Sequence, residues 1–353
     1  DTVTFSAAYG DRGASASAKP ITITLAGAGA ANYTAPSGIS GIISPKGLTI
    51  MGVAASNKVY DGGTVATLST GTIASGGVIT GDTVTVTQGT GAFTIKDVGT
   101  GITVTASGFA LTGTGSSNYT LTAQPSGLTA NIAQKAVTIT GVTTSNRVYD
   151  GTTVAVLTTG TLQGVISSET AVISLTQGMG VFADKNVGTN KAVTISGFAL
   201  GGTGAGNYSL TQPTVANVNI TARALTITAN NQTIAHPGSL AVAPSLGTTA
   251  FTVAVADATS GLVSNEGISA VTLQVNGSPN VPVYNTATGG NNSYTITPSV
   301  AVAGANTDLS NYAINYNTSS TPGMLTVVNL PTLTIRFVSA PVEYGTAKTL
   351  GVN

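Results

Sequence analysis

Cysteine and tryptophan are absent from the 353 residues, histidine occurs once, and only 7% of residues are charged, 12 basic against 12 acidic. Without cysteine there is no disulfide framework, a composition that suits a reducing compartment or an exported protein that avoids misoxidation. The sparse, balanced charge excludes the one-signed surface that a nucleic-acid binder or an acidic tail requires. With His236 alone, neither a serine-histidine-acid triad nor a histidine metal site can recur along the chain. No apolar run reaches the ~18 residues of a membrane helix, so no membrane insertion is expected.

What is abundant is threonine, 61 residues, and glycine, 45 residues. Stretches such as Thr83-Val84-Thr85-Val86-Thr87 and Ile102-Thr103-Val104-Thr105 alternate β-branched apolar residues with threonine, the period of a strand with one buried face. Glycine-rich punctuation at Gly76-Gly77, Gly113-Thr114-Gly115 and Gly201-Gly202 separates the runs. About six or seven short strands per ~89 residues, and no helical pattern, predict an all-β fold of tandem immunoglobulin-like β-sandwich modules in an extended array.

The repeats are explicit. Lys58-Val59-Tyr60-Asp61-Gly62-Gly63-Thr64 returns as Arg147-Val148-Tyr149-Asp150-Gly151-Thr152-Thr153, and Ser107-Gly108-Phe109-Ala110-Leu111 as Ser196-Gly197-Phe198-Ala199-Leu200, each 89 residues later (149 − 60, 198 − 109). Asn-Tyr dipeptides end at Tyr33, Tyr119, Tyr208 and Tyr312, each upstream of a Leu-Thr-Ile or Val-Thr-Ile segment. These landmarks divide the chain into 1–50, the back of a module, then 51–139, 140–227 and 228–335, and 336–353, the start of another. Chain outside the span is expected to complete the two end fragments.

Tyr60-Asp61-Gly62 and Tyr149-Asp150-Gly151, with the Val-Gly-Thr, Gly-Phe-Ala-Leu and Asn-Tyr landmarks that follow them, resemble the YDG domain of large bacterial exported repeat proteins. Residues 228–335, with Ala229-Asn230-Asn231-Gln232-Thr233 and Asn311-Tyr312-Ala313-Ile314, resemble the MBG domain, although Ala235-His236-Pro237-Gly238 stands where that domain usually has tyrosine-glycine. The resemblance implies a stalk of a filamentous-haemagglutinin-like exoprotein or adhesin, extracellular or at the cell surface. Its partners would be neighbouring modules of the same chain or filament; a glycan or protein-binding module facing a host or biofilm surface is the alternative.

The candidate residues are structural: Tyr60, Asp61, Gly62, Tyr149, Asp150, Gly151, Tyr119, Tyr208 and Tyr312. Aspartate followed by glycine closes tight turns, the carboxylate accepting backbone N–H groups and the glycine taking positive φ. The competing reading is a metal or ligand site, which calcium would build from six to eight oxygens. Asp61 facing Asp82 would offer a glycosidase-like carboxylate pair, but the position 89 residues after Asp82 is Ala171, so a recurring pair is not expected. The Asn-Tyr tyrosines fit either a tyrosine corner or plain core packing. His236 is expected in a turn before Pro237. No catalytic residue, cofactor or metal is expected.

Overall fold

A computed structural model describes residues 2–236, 245–275, 292–317 and 321–329. It is all-β: among the described residues there are strands and short 3₁₀ turns but no α-helix, and no helix is long and apolar enough to cross a membrane. The alternating sequence becomes alternating burial. In Gly99–Ser107, Ile102, Val104 and Ala106 point inward while Thr103 and Thr105 face out, and Lys135–Thr140 buries Val137 and Ile139 in the same way.

The first repeat forms a five-stranded sheet in the order Lys58–Val59, Leu128–Ala133, Gly99–Ser107, Thr90–Phe93, Val65–Ala66. Smaller ladders join Thr85–Thr87 to Ala110–Thr112 and Ile50–Met51 to Thr72–Ile73. Two pairings depart from the antiparallel sheets of a constant-type immunoglobulin domain. Leading strand Lys46–Leu48 runs parallel to Tyr119–Leu121, and Lys58–Val59 runs parallel to the closing strand Leu128–Ala133. The arrangement recurs: Lys135–Thr140 is parallel to Tyr208–Leu210, Arg147–Val148 to Val218–Thr221, Arg223–Ala229 to Tyr312–Asn317, and Gln232–His236 to Gly323–Asn329.

Packing draws its units across the sequence period. One compact unit comprises 1–142, 159–178 and 196–213; the other comprises 143–158, 179–195 and 214–353. A sheet that is apolar on one face needs another layer to cover it. In the first unit the inner face of the first repeat's sheet, with Phe93, Val104, Ala130 and Ile132, is covered by Ile50, Val53 and Val86 of its own repeat. Ile173 and Tyr208 of the next repeat cover it as well, with Val137 from the strand that runs into that repeat. The second unit repeats the scheme, with Tyr149, Phe182 and Ile220 packed with Leu225, Ile227, Val271 and Tyr312. A further cluster in that unit holds Ala229, Ile296, Leu325 and Val327.

Chain passage between repeats is short. Gln134 alone separates Leu128–Ala133 from Lys135–Thr140 within the first unit, and Ala222 alone separates Val218–Thr221 from Arg223–Ala229 within the second. Arg223 lies buried there with its guanidinium held by backbone carbonyls: Nε donates to Gly261 at 2.8 Å and Nη2 to Ser260 at 2.7 Å.

Two expectations need correction. Tyr33 does not enter a core like the other Asn-Tyr tyrosines; it is 58% exposed, because the three-stranded sheet of its segment, Thr4–Tyr9, Ser15–Ala26 and Ser40–Ile43, has no buried residue to pack with. His236 is the last residue of a strand, paired with Asn329, rather than part of a turn. The Leu333-Thr334-Ile335 boundary and the 336–353 fragment lie outside the described residues.

Val300 is the extra residue of a bulge, between Ala301, which pairs with Val271, and Ser299, which pairs with Thr272. Its φ is 46° and its side chain is 67% exposed. A β-branched residue in the left-handed region carries backbone strain that no buried contact offsets. Val300→Gly is therefore expected to stabilise the second unit by about 1 kcal/mol, read as a higher urea midpoint; an unchanged or lower midpoint would contradict the strain.

Candidate functional site: a tyrosine-carboxylate latch joining successive repeats

Each letter of the Tyr-Asp-Gly motif has a separate physical task. Asp61 closes its turn by accepting the Gly63 N–H at 2.9 Å and pairs with Lys58 Nζ at 2.7 Å, while Lys58 also donates to the Gly63 carbonyl and sits over the Phe93 ring. Lys58, then the Gly63 N–H, holds the Asp61 carboxyl below its ordinary range. Asp150 accepts the Thr152 N–H at 2.9 Å and pairs with Arg147 at 2.5 Å, and Arg147 lies over Phe182. In both ion pairs the carboxylate is exposed while the cation is largely covered, so solvent still screens the pair and the turn hydrogen bond adds to it.

Gly62 and Gly151 have φ of 78° and 76°, which favours glycine. Gly151 also makes room for the following repeat, whereas at Gly62 a Cβ would meet only an ordinary contact. A Cβ on Gly62 would lie 3.4 Å from Ile166 Cδ1, and one on Gly151 would lie 2.6 Å from Val263 Cγ1.

Tyr60 and Tyr149 are fully buried, and their hydroxyls end on carboxylates from the next repeat. Tyr60 donates to Glu169 Oε1 at 2.5 Å, and Tyr208 donates to Glu169 Oε2 at 2.6 Å. The Tyr208 oxygen also accepts the Ile166 N–H at 3.2 Å, and Lys96 Nζ donates to the Tyr60 oxygen at 3.1 Å. The two rings meet edge to face with centroids 5.6 Å apart, a favoured aromatic geometry. In the second unit Tyr149 donates to Glu266 Oε1 at 2.6 Å, Tyr312 donates to Glu266 Oε2, and Tyr312 accepts the Val263 N–H at 3.0 Å. Lys185 stands 3.3 Å from Glu266, and the rings again meet at 5.6 Å.

The asparagine of each Asn-Tyr pair adds a second tie. A 3₁₀ turn ends on it, so its side chain points back to the preceding repeat. Asn207 Oδ1 accepts the Val98 N–H at 2.9 Å while its Nδ2 donates to Asp97; Asn311 accepts the Val187 N–H at 2.8 Å and donates to Asn186. A related arrangement joins the opening segment to the first repeat. Tyr119 donates to Asp82 Oδ2 at 2.8 Å and accepts the Ile79 N–H at 2.9 Å, Arg12 pairs with Asp82 at 2.7 Å, and Asn118 accepts the Ala14 N–H at 2.8 Å.

Asp82 therefore belongs to Tyr119 and Arg12, whereas Asp61 belongs to its own turn. The carboxylate does recur, contrary to the 89-residue register that put Ala171 in its place. It slips two positions to Glu169, whose extra methylene reaches the same role from the 3₁₀ turn Ser167–Glu169. The signal that finds it is an aliphatic residue three positions before an acid: Ile79 and Asp82, Ile166 and Glu169, Val263 and Glu266. The aliphatic residue's N–H binds the tyrosine oxygen and the acid takes the tyrosine proton donor. Lys96, Lys185, Asn207 and Asn311 were also missed as site residues. Among the described residues no three His, Cys, Asp or Glu side chains gather as a metal site.

Titration couples the latch to stability. Hydrogen bonds from Tyr208 and then Tyr60 hold Glu169 below its ordinary 4.5. Burial, then the bond to Glu169, pushes Tyr208 from 10.0 up to about 12 and raises Tyr60 as well. The lowered carboxyl contributes stability above pH 4.5 that is lost as pH falls through its folded value; the raised phenol contributes stability below pH 10.0 that is lost as pH rises towards 12. The first unit's urea midpoint is expected to be flat between these limits and to fall on both sides, with Glu169→Gln lowering the plateau and blunting the acid fall. Tyr208→Phe, which keeps the ring but orphans the Ile166 N–H and one Glu169 oxygen, is expected to cost about 1–3 kcal/mol at pH 7; a neutral result would show that the hydroxyl is dispensable.

The YDG domain model matches residues 44–127 and 133–216, two tandem copies in step by 89 residues (133 − 44). No curated protein matches the chain. Tyr60 and Lys96 lie in the first copy and Glu169, Asn207 and Tyr208 in the second, so the first tyrosine-carboxylate latch joins one YDG domain to the next.

Proposed function

We propose that this chain is a structural stalk segment of an exported bacterial surface protein or extracellular filament of the filamentous-haemagglutinin-like adhesin type. In this reading immunoglobulin-like β-sandwich modules stand in tandem, with the MBG-like residues 228–335 following two YDG domains. The observation that carries the proposal is the joint between repeats. One residue, Gln134, links Leu128–Ala133, the strand that follows the first matched YDG copy, to Lys135–Thr140 of the second, and a shared core and the Glu169 latch cover the passage. A binding array that must orient its modules independently needs linker length; a joint of this kind instead fixes each repeat on its neighbour. Partners in this proposal are neighbouring repeats first, and a glycan or a host or biofilm surface second.

The location is tested on intact cells of the producing organism with an antibody to the exposed segment Pro36–Ser40. Labelling before lysis is expected. Access to the epitope only after lysis would overturn the surface assignment.

A further inference from the structure

The YDG tyrosine is also the last rung of a ladder that the latch does not explain. Lys58 and Val59 pair in parallel with Ile132 and Ala133, and the Tyr60 N–H donates to the Ala133 carbonyl at 2.8 Å. At the other end of the ladder the Asn57 side chain accepts the Asn131 N–H at 2.7 Å. The second repeat copies this: Arg147 and Val148 pair with Ile220 and Thr221, the Tyr149 N–H donates to Thr221 at 2.9 Å, and Asn146 accepts the Asn219 N–H at 2.7 Å. In the following module Asn231 accepts the Met324 N–H at 2.8 Å beside the parallel pair Gln232–His236 and Gly323–Asn329.

The direction of these strands decides how they meet tension. Pulling a chain by its ends draws a leading strand towards its N-terminus and a closing strand towards its C-terminus. When the two are adjacent and parallel, the pull runs along the strands and across the hydrogen bonds, so all rungs are loaded together. An antiparallel neighbour would be peeled one rung at a time. Forced rupture is governed by the unfolding barrier rather than by equilibrium stability, so direction of loading matters even where the bond count is the same.

We propose that the Tyr-Asp-Gly segment is a force-bearing clamp: Asn57 to Tyr60 sheared against Asn131 to Ala133, and Asn146 to Tyr149 against Asn219 to Thr221. The Asp-Gly turn that follows holds the tyrosine in place at the clamp's end, and the latch passes load from the tyrosine ring to the next repeat. The biological use of the clamp rests on the stalk reading; the clamp itself rests on strand direction.

The absence of cysteine from the sequence allows handles to be placed at will on the full chain. Ser56→Cys with Ala133→Cys loads the first ladder in shear, whereas Ser56→Cys with Thr129→Cys, just before the first rung, pulls both strands from the same end and unzips it. Single-molecule pulling is expected to give a rupture force at least about twofold higher for the shear pair, because its rungs must fail together. Asn57→Ala is expected to lower the shear force and leave the unzipping force nearly unchanged. Ser145→Cys with Thr221→Cys or Ala216→Cys repeats the comparison in the second repeat, should a first-repeat variant fold poorly. Equal forces in the two directions would overturn the clamp and leave the surface labelling unaffected, while labelling confined to lysed cells beside a strong directional force would overturn the stalk and leave the clamp.

Discussion

A carboxylate shared by two buried tyrosine hydroxyls is the constraint on which the repeat joint depends. Removing a charge from water is costly unless its oxygens are satisfied, and Glu169 and Glu266 meet that cost with two phenol donors and a lysine each. Such a group adds little net stability compared with a well-packed apolar replacement, but it is intolerant of misplacement. If the following repeat slid by one strand residue, side chains would change face and the carboxylate would lose both donors at once. The surrounding apolar contacts supply the cohesion, and the carboxylate supplies the register.

This division of labour explains why the compact units cut across the sequence period. A repeat read from one landmark to the next is half of two cores. Its five-stranded sheet has Phe93, Val104 and Ile132 on one face only, and part of the layer over that face is made by Ile173 and Tyr208, which the next repeat contributes. Nearest-neighbour contacts of this type are what repeat proteins rely on, but here the neighbour completes the core as well as capping it.

Most of the fold was legible because it is written with period two. The alternation over 102–105 and 137–140 marked half-buried strands that run over Gly99–Ser107 and Lys135–Thr140, and the Asp-Gly pairs at Asp61 and Asp150 marked turns. The latch was not legible by the same route. Strands keep their spacing, so an 89-residue offset carries across them, but a connection can gain or lose residues, and the acid sits in one. The slip from the Ala171 position to Glu169 hid a recurring carboxylate behind an apparent loss. Parallel pairing was illegible for another reason. Alternation gives the face of a residue and says nothing of which strand lies beside it, so the pairing of Lys58 with Ile132 and Val59 with Ala133, each 74 positions apart (132 − 58, 133 − 59), could not be read from local pattern.

Tyr60 and Tyr149 draw the two devices into one residue. The backbone of each tyrosine closes the parallel ladder of its own repeat, and its ring and hydroxyl belong to the core and latch of the next. Phenylalanine would keep the ladder and the ring packing but leave the carboxylate short of a donor; serine would keep a hydroxyl too near the backbone to reach it. Tyrosine has both the apolar body and the distant polar tip. The aspartate and glycine then follow from where that tyrosine must sit: the chain has to turn sharply away through a positive φ that favours glycine, and in the second repeat a Cβ there would also collide with Val263. Tension along a leading strand and burial across a repeat boundary thus meet at a single side chain, and a motif of three residues is the smallest that holds it there.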